Sequence, residues 1–254
     1  MAKDDIVSWG DIPAALGLLT RLPVRVDTDL AVERGARAAW AWPLAGLVVG
    51  GIAAVSGAAA LRLGLTPAVA AGLVIGVQVI VTGAMHEDGL ADSADGLWGG
   101  WDQARRLEIM KDSHIGTYGV LALILSVGLR WAALQLLISL GQLWPAVILT
   151  AMLSRLPMVA LMHALPPARA GGLSRSVGTP PRATLVLACA IALGATLLLV
   201  GPWALPLVLT LGGVSLGWAA IAMAKIGGQT GDILGAAQQL AEITVLLTLL
   251  ALAA

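Results

Sequence analysis

The chain alternates between long uncharged runs and short polar segments, and the lengths of the runs decide its class. Residues 38–61 and 63–85 are two such runs separated only by Arg62, and residues 118–140 and 143–165 form a second pair interrupted by Arg130 and Arg155. Residues 183–201 and 203–224 make a third pair, turned at Gly201-Pro202, and residues 233–254 are a last run with Gln238, Gln239 and Glu242 in its first third. Crossing about 30 Å of hydrocarbon takes about 20 apolar residues in a helix, so each run predicts one crossing. The expectation is an all-α, polytopic membrane protein of about seven transmembrane helices. A shorter apolar patch at 12–19, ended by Thr20-Arg-Leu-Pro-Val24, is too short to span and predicts an interfacial or re-entrant helix. No internal repeat or soluble domain is evident, so residues 1–254 read as a single membrane-embedded domain. Within it, residues 1–37 form an N-terminal segment and residues 86–115 an acidic one.

Composition agrees with the pattern and removes some alternatives. The 254 residues are 58% hydrophobic and 12% charged, far from the roughly 25% charged composition of soluble domains. The formal net charge of zero provides no basic field for nucleic acid, and the single Cys189 can form no internal disulfide. The start Met-Ala-Lys-Asp-Asp lacks the basic end, apolar core and cleavage site of a signal peptide, which predicts a mature N-terminus. Basic residues accumulate on cytoplasmic loops. With the N-terminus inside, the tail, the acidic segment, the Arg169 loop and the Lys225 loop share one face. Only Arg62, Arg130 and Arg155 fall elsewhere. That topology also gathers every chemically rich loop on the cytoplasmic side.

The acidic segment is the candidate site. Seven of the fifteen carboxylates, Glu87, Asp88, Asp92, Asp95, Asp102, Glu108 and Asp112, lie between Thr82 and Asp112 among Gly89, Gly96, Gly99 and Gly100. Asp88, Asp92 and Asp95 stand at i, i+4 and i+7, one face of a helix, where like charges repel. A divalent cation between them relieves that repulsion, and hard oxygen ligands suit Mg²⁺, Mn²⁺ or Ca²⁺, of which Mg²⁺ characteristically shares its shell with substrate phosphates. Glu87 is a candidate fourth ligand or base; the competing reading is a solvated acidic loop. His86 is a candidate proton acceptor for an attacking hydroxyl, with Asp95 an equal contender and a structural histidine the plainer alternative. Lys111 and Asp112 either pair with each other or face phosphate.

No carboxylate lies between Asp112 and Asp232, so the intervening arginines lack an acid nearby in sequence. Arginine within an apolar run is costly and faces a partner or an aqueous cavity. Arg155, after Ser154, is the better phosphate ligand because guanidinium grips phosphate in a fixed two-point geometry. Arg130 reads as structural, reaching the outer interface. Arg169 and Arg175, amid Gly171, Gly172 and Ser174, suit an anion-binding loop or a charged anchor. The loop Gly227-Gly-Gln-Thr-Gly-Asp232 allows close backbone approach to a ligand at Gly228 and Thr230, without the lysine and serine of a nucleotide-binding P-loop. Asp232 and Glu242 are second contributors to the metal or nucleophile site, with a hydrogen-bonded packing role equally open for Glu242.

Four motifs together carry a resemblance: His86-Glu-Asp-Gly-Leu-Ala-Asp-Ser-Ala-Asp-Gly96, Met110-Lys-Asp-Ser-His-Ile-Gly-Thr-Tyr-Gly119, Thr20-Arg-Leu-Pro-Val24 and Gly228-Gln-Thr-Gly-Asp-Ile-Leu-Gly-Ala236. In this order, from about Thr20 to Glu242, the chain resembles the cobalamin synthase (adenosylcobinamide-GDP ribazoletransferase) family. His114 departs from the arginine the pattern leads one to expect. The resemblance implies a Mg²⁺-dependent phosphotransferase of the bacterial inner membrane, with its active site facing the cytoplasm. Such an enzyme joins adenosylcobinamide-GDP to α-ribazole or its 5′-phosphate and releases GMP. It implies that Asp88, Asp92 and Asp95, with Glu87, hold Mg²⁺, that Lys111 and Arg155 neutralise phosphate oxygens, and that His86 or an aspartate removes the hydroxyl proton. Asp232 completes the site, with Arg169, Gly228, Thr230 and Asp112 as substrate contacts. Self-association is compatible with all of this. A CDP-alcohol phosphotransferase would show an Asp-Gly-x-x-Ala-Arg start, absent here. A metal- or proton-coupled transporter would place its ionisable groups at mid-membrane and show inverted repeats.

Overall fold

The computed structural model describes residues 5–253; Lys3, counted with the charges of the N-terminal tail, and Ala254, the end of the last run, lie outside that range. The order of elements is α1 (Asp11–Leu19), α2 (Thr28–Arg34), a 3-10 segment (Gly35–Ala41), α3 (Trp42–Arg62), α4 (Pro67–Thr82), α5 (Met85–Gly99), α6 (Gln103–Ile109) and α7 (Thr117–Ser139). There follow α8 (Leu143–Leu153), α9 (Arg155–Ala164), α10 (Leu173–Val177), α11 (Arg182–Val200), a 3-10 turn (Gly201–Trp203), α12 (Ala204–Ile226) and α13 (Gly231–Ala253). The protein is all-α, and among the described residues the backbone shows one isolated β-bridge, Pro167 to Gln229.

Five stretches are long and apolar enough to cross a membrane: Thr28–Arg62, Thr117–Ser139, Leu143–Ala164, Arg182–Ile226 and Gly231–Ala253. The pair α4 and α5 makes a sixth if its 88° bend is one broken span. The expected count of seven is not confirmed, and local geometry bears on it in two places. The run 63–85 yields a helix of only 16 residues, about 24 Å at 1.5 Å per residue. It stops because Gly83 (φ 65°) and Ala84 (φ 58°) both adopt left-handed backbone, which redirects the chain into α5. The Arg182–Ile226 stretch is broken by the 3-10 turn at Gly201–Trp203. Its halves pack differently, α11 against α8 and α9, and α12 against α13.

The N-terminal segment is docked on the bundle through a buried ion pair. The fully buried Asp11 carboxylate accepts hydrogen bonds from Arg34 Nε (2.8 Å), Arg34 Nη2 (2.7 Å), Trp40 Nε1 (2.7 Å) and the Ser8 amide (2.9 Å). Burial pushes this carboxyl up, but the bonds from Arg34, Trp40 and Ser8 outweigh it and hold its pKa below the usual carboxylate range. Helix α1 consequently packs on the 3-10 segment and α3, which brings Leu18 and Leu19 to the cavity described below.

Candidate active site

Helix α5 is wedged between the first halves of α7 and α13. The seat is made by glycines: a methyl at Gly89 would lie 3.1 Å from the Gly235 Cα, and one at Gly235 only 3.2 Å from the Gly89 Cα. This backbone-to-backbone approach, the same device that lets helices close in membranes, carries the start of the acidic segment into the bundle.

There Glu87 joins a network that crosses four helices. Arg130 of α7 donates through Nη1 to Glu242 Oε2 (2.6 Å) and through Nη2 to Glu87 Oε1 (3.1 Å). Gln239 Nε2 also donates to Glu87 Oε1 (3.0 Å), and Gln238 Nε2 donates to Glu242 Oε1 (2.6 Å). Arg155 Nη1 is held by the Ala151 carbonyl (3.0 Å), Ser154 Oγ (2.8 Å) and, at 3.5 Å, Glu242 Oε1. Both guanidinium groups are 1% exposed, and two arginines against two glutamates leave the network neutral. Desolvated charges are tolerable when they are paired and hydrogen-bonded in this way. Arg155 therefore sits in the network and not on the wall of the cavity, Arg130 turns inward instead of toward the outer interface, and Glu87 gives Oε1 to Arg130 and Gln239.

Beside the network opens a cavity of about 270 Å³. Its polar rim is His86, Asp88, Arg169, Ser174 and Asp232. His86 is 1% exposed, and its Nε2 has no partner. Asp232 accepts from Arg169 Nη2 and from Thr230 Oγ (3.1 Å), while Thr230 Oγ accepts from the Ile233 amide (3.3 Å) in the first turn of α13. The loops bearing Arg169 and Asp232 are joined by two backbone bonds, Gln229 N to Pro166 O (2.9 Å) and Ala168 N to Gln229 O (2.8 Å). Gly228 is required there because any Cβ would overlap the Pro166 carbonyl oxygen. Its close approach is to the neighbouring loop.

The remaining candidates spread outward along the acidic segment. Asp92 follows Asp88 by one turn of α5, which lies outside the five spans. Partial burial and then the Asp88, Asp232 and Asp95 carboxylates push its pKa up to about 7. Asp95 turns away to α7, where its oxygens accept from the Gly116 amide (2.7 Å) and the Gly119 amide (2.9 Å). This satisfies orphan donors at a helix N-terminus. Lys111 and Asp112 are exposed. Asp112 accepts from the His114 amide (3.1 Å) and lies 2.7 Å from His114 Nδ1. These contacts hold the Asp112 carboxyl below the usual carboxylate range. The departure at His114 thus forms a local pair with Asp112.

A family model described as cobalamin-5-phosphate synthase matches residues 11–250. The chain belongs to that family. It is similar, at 46% identity over 240 residues, to an adenosylcobinamide-GDP ribazoletransferase of Bradyrhizobium diazoefficiens, covering 93% of this chain and 92% of the relative. Relatives with the same name in Mesorhizobium japonicum and Brucella anthropi are 43% and 44% identical, covering 93% of this chain in each case and 91% and 95% of the relatives. No solved structure matches.

As a member of the cobalamin-5-phosphate synthase family, the protein is a membrane enzyme of cobalamin synthesis, and its acids can be sorted by what already occupies them. Among the described residues no three His, Cys, Asp or Glu side chains come together in an arrangement that could hold a metal ion. Glu87 is engaged by Arg130, Asp95 by amides and Asp232 by Arg169. Asp88 and Asp92 are left without a protein donor, and the crowding of carboxylates around Asp92 is the state a cation would relieve. The residues fit a divalent ion that takes two carboxylates from the protein and the rest of its shell from substrate phosphates and water, as Mg²⁺ does. They do not form a four-acid cage. The sequence reading missed the Glu87–Arg130–Glu242–Arg155 network. Its signal was present as two arginines inside apolar runs and one glutamate inside another, equal to two acids once Glu87 is counted.

Proposed function

We propose that the chain transfers the corrinoid phosphate of adenosylcobinamide-GDP to α-ribazole or its 5′-phosphate, releasing GMP, at the cytoplasmic face of a bacterial inner membrane. The observation that carries this reading is the meeting, in one cavity, of an unpartnered buried imidazole nitrogen, a free carboxylate and a guanidinium. The names of the relatives supply the substrates.

In this reaction a ribose hydroxyl attacks the phosphorus on the corrinoid side of the diphosphate, the bond to the bridging oxygen breaks, and GMP leaves with that oxygen. Such transfers need in-line positioning and charge neutralisation more than covalent catalysis. His86, whose Nε2 is buried without a partner, lines the cavity and takes the hydroxyl proton. Arg169, steadied by Asp232 and by the bridge to the Gly228 loop, presents its guanidinium to the diphosphate. Asp88 and Asp92 would hold Mg²⁺, which supplies neutralisation of the non-bridging oxygens. The network behind them fixes the start of α5 and with it the direction of His86 and Asp88. Arg155 and Lys111, which lie away from the cavity, receive no role in the transfer.

The test is incubation of detergent-solubilised protein with adenosylcobinamide-GDP, α-ribazole and Mg²⁺, following GMP. Folded wild type that yields no GMP refutes the proposal. Loss of GMP release in Asp88→Asn at unchanged folded yield supports the cation role, and full retention of activity in that variant refutes it.

A further inference from the structure

The lining of the cavity divides into two chemical halves, polar and apolar: besides His86, Asp88, Arg169 and Asp232 it includes Leu18, Leu19, Trp42, Met158 and Met162. Leu19 is 2% exposed, Trp42 3%, Met158 5% and Met162 1%, so the apolar lining is held in the packed core. We propose that this half seats the base of the acceptor nucleoside, a flat aromatic base with an apolar edge, and that the leaving guanosine and the macrocycle of the donor stay outside it. The proposal rests on the transfer reading above.

Three observations support the assignment. The first is size: at about 270 Å³ the hollow lies at the low end of small-molecule sites, about 300–1,000 Å³. It has room for a fused two-ring base with its ribose, and none for a macrocycle. The second is chemistry. Leucine methyls, two thioethers and an indole suit the faces and methyl edge of an aromatic base, and methionine sulfur makes favourable contacts with rings. Guanine carries two donor groups (N1–H and the 2-amino group) and three acceptors (O6, N7 and N3) along its edges, which this wall would leave unpaired, a heavy penalty for buried polar groups. The third is the company the apolar lining keeps: His86, Asp88, Arg169 and Asp232 line the same cavity. A nucleoside with its base against Trp42 and the methionines therefore keeps its ribose hydroxyls within the cavity that His86 lines.

Specificity for the acceptor then comes from apolar contact. Each methyl buried against the wall contributes about fourfold in affinity, from about 0.8 kcal/mol per buried carbon. Removing both methyls of a dimethylbenzimidazole riboside should weaken binding about tenfold or somewhat more. Guanosine should not bind measurably where α-ribazole does.

The test is equilibrium dialysis of the wild-type protein in detergent, without metal or corrinoid, against α-ribazole, benzimidazole riboside and guanosine. It is paired with separate KM values for donor and acceptor from GMP release. Leu18→Trp, which fills the hollow from a half-buried position, should raise the acceptor KM and dissociation constant at least tenfold and leave the donor KM within twofold. If that variant does not fold, Met162→Ala enlarges the hollow and should shift preference toward bulkier apolar bases. Guanosine binding as tightly as α-ribazole overturns the assignment, as does a change confined to the donor KM. Wild type that binds α-ribazole with the expected methyl dependence but releases no GMP upholds the base site and refutes the transfer reading. Wild type that releases GMP with no methyl dependence does the reverse.

Discussion

Replacing Glu242 by glutamine tests whether the buried network holds the active-site helix in place. Glu242 is the shared acid: it accepts Arg130 Nη1 at 2.6 Å, Gln238 Nε2 at 2.6 Å and Arg155 Nη1 at 3.5 Å, with its side chain 4% exposed. Glutamine preserves shape but leaves two buried guanidinium groups facing Glu87 alone. Removing one partner of a buried ion pair costs about 3–5 kcal/mol, a large share of a typical stability of about 5–15 kcal/mol. In a chain of this size 1 kcal/mol moves the melting midpoint by about 2–4 °C, so the midpoint in detergent should fall by about 6–20 °C. The double variant Glu242→Gln with Arg155→Met removes one charge of each sign and leaves the neutral Arg130–Glu87 pair at 3.1 Å. It should recover most of that loss, a positive coupling in a double-mutant cycle. A single variant that melts within about 2 °C of wild type, or a double variant no better than the single, would refute the reasoning.

Three further outcomes follow from the geometry. Asp95→Ala should destabilise the protein by about 0.5–2 kcal/mol, the usual effect of losing a helix cap, while retaining divalent-cation binding by calorimetry; Asp92→Asn should lose binding at unchanged stability. The Asp92 carboxyl, raised to about 7 in the folded protein from 3.8, favours its protonated form there. Its ionisation therefore costs stability progressively as the pH rises from about 4 through 7. Because a bound cation removes that penalty, added Mg²⁺ should raise the melting midpoint more at pH 8 than at pH 5.5, and equal gains would contradict the crowding. Gly228→Ala should break the Pro166–Gln229 bridge and displace Arg169, lowering kcat/KM at least tenfold, with a KM effect on the donor and not on the acceptor.

The apolar runs were legible because a span has to be greasy over its whole length, and the acidic segment because charge is costly beside such runs. The break between α4 and α5 was not legible. It turns on Ala84 adopting left-handed backbone after Gly83, and nothing in an alanine announces that. The pairing of charges escaped for another reason: Arg130 lies 43 residues from Glu87 and 112 from Glu242, so only the assembled bundle shows that each arginine has an acid. Spacing correctly put Asp88, Asp92 and Asp95 on one helix, but spacing is blind to the amides of Gly116 and Gly119 that claim the third. Gly228 was singled out for a sound steric reason, close backbone approach, and the partner proved to be a neighbouring carbonyl.

The arrangement of the four charged groups also constrains how the protein is made. Helices α7 and α9 are synthesised with a cation in each; Glu87 of α5 precedes both and answers one, and the acid that answers the other, Glu242, follows both in α13. A solitary arginine or lysine near the bilayer centre costs about 2.5–3.5 kcal/mol on insertion. The earlier helices therefore enter the membrane with one positive charge in excess, a disadvantage that α13 removes. A chain cut before Glu242 would lack more than a helix, since two buried guanidinium groups would share Glu87 alone.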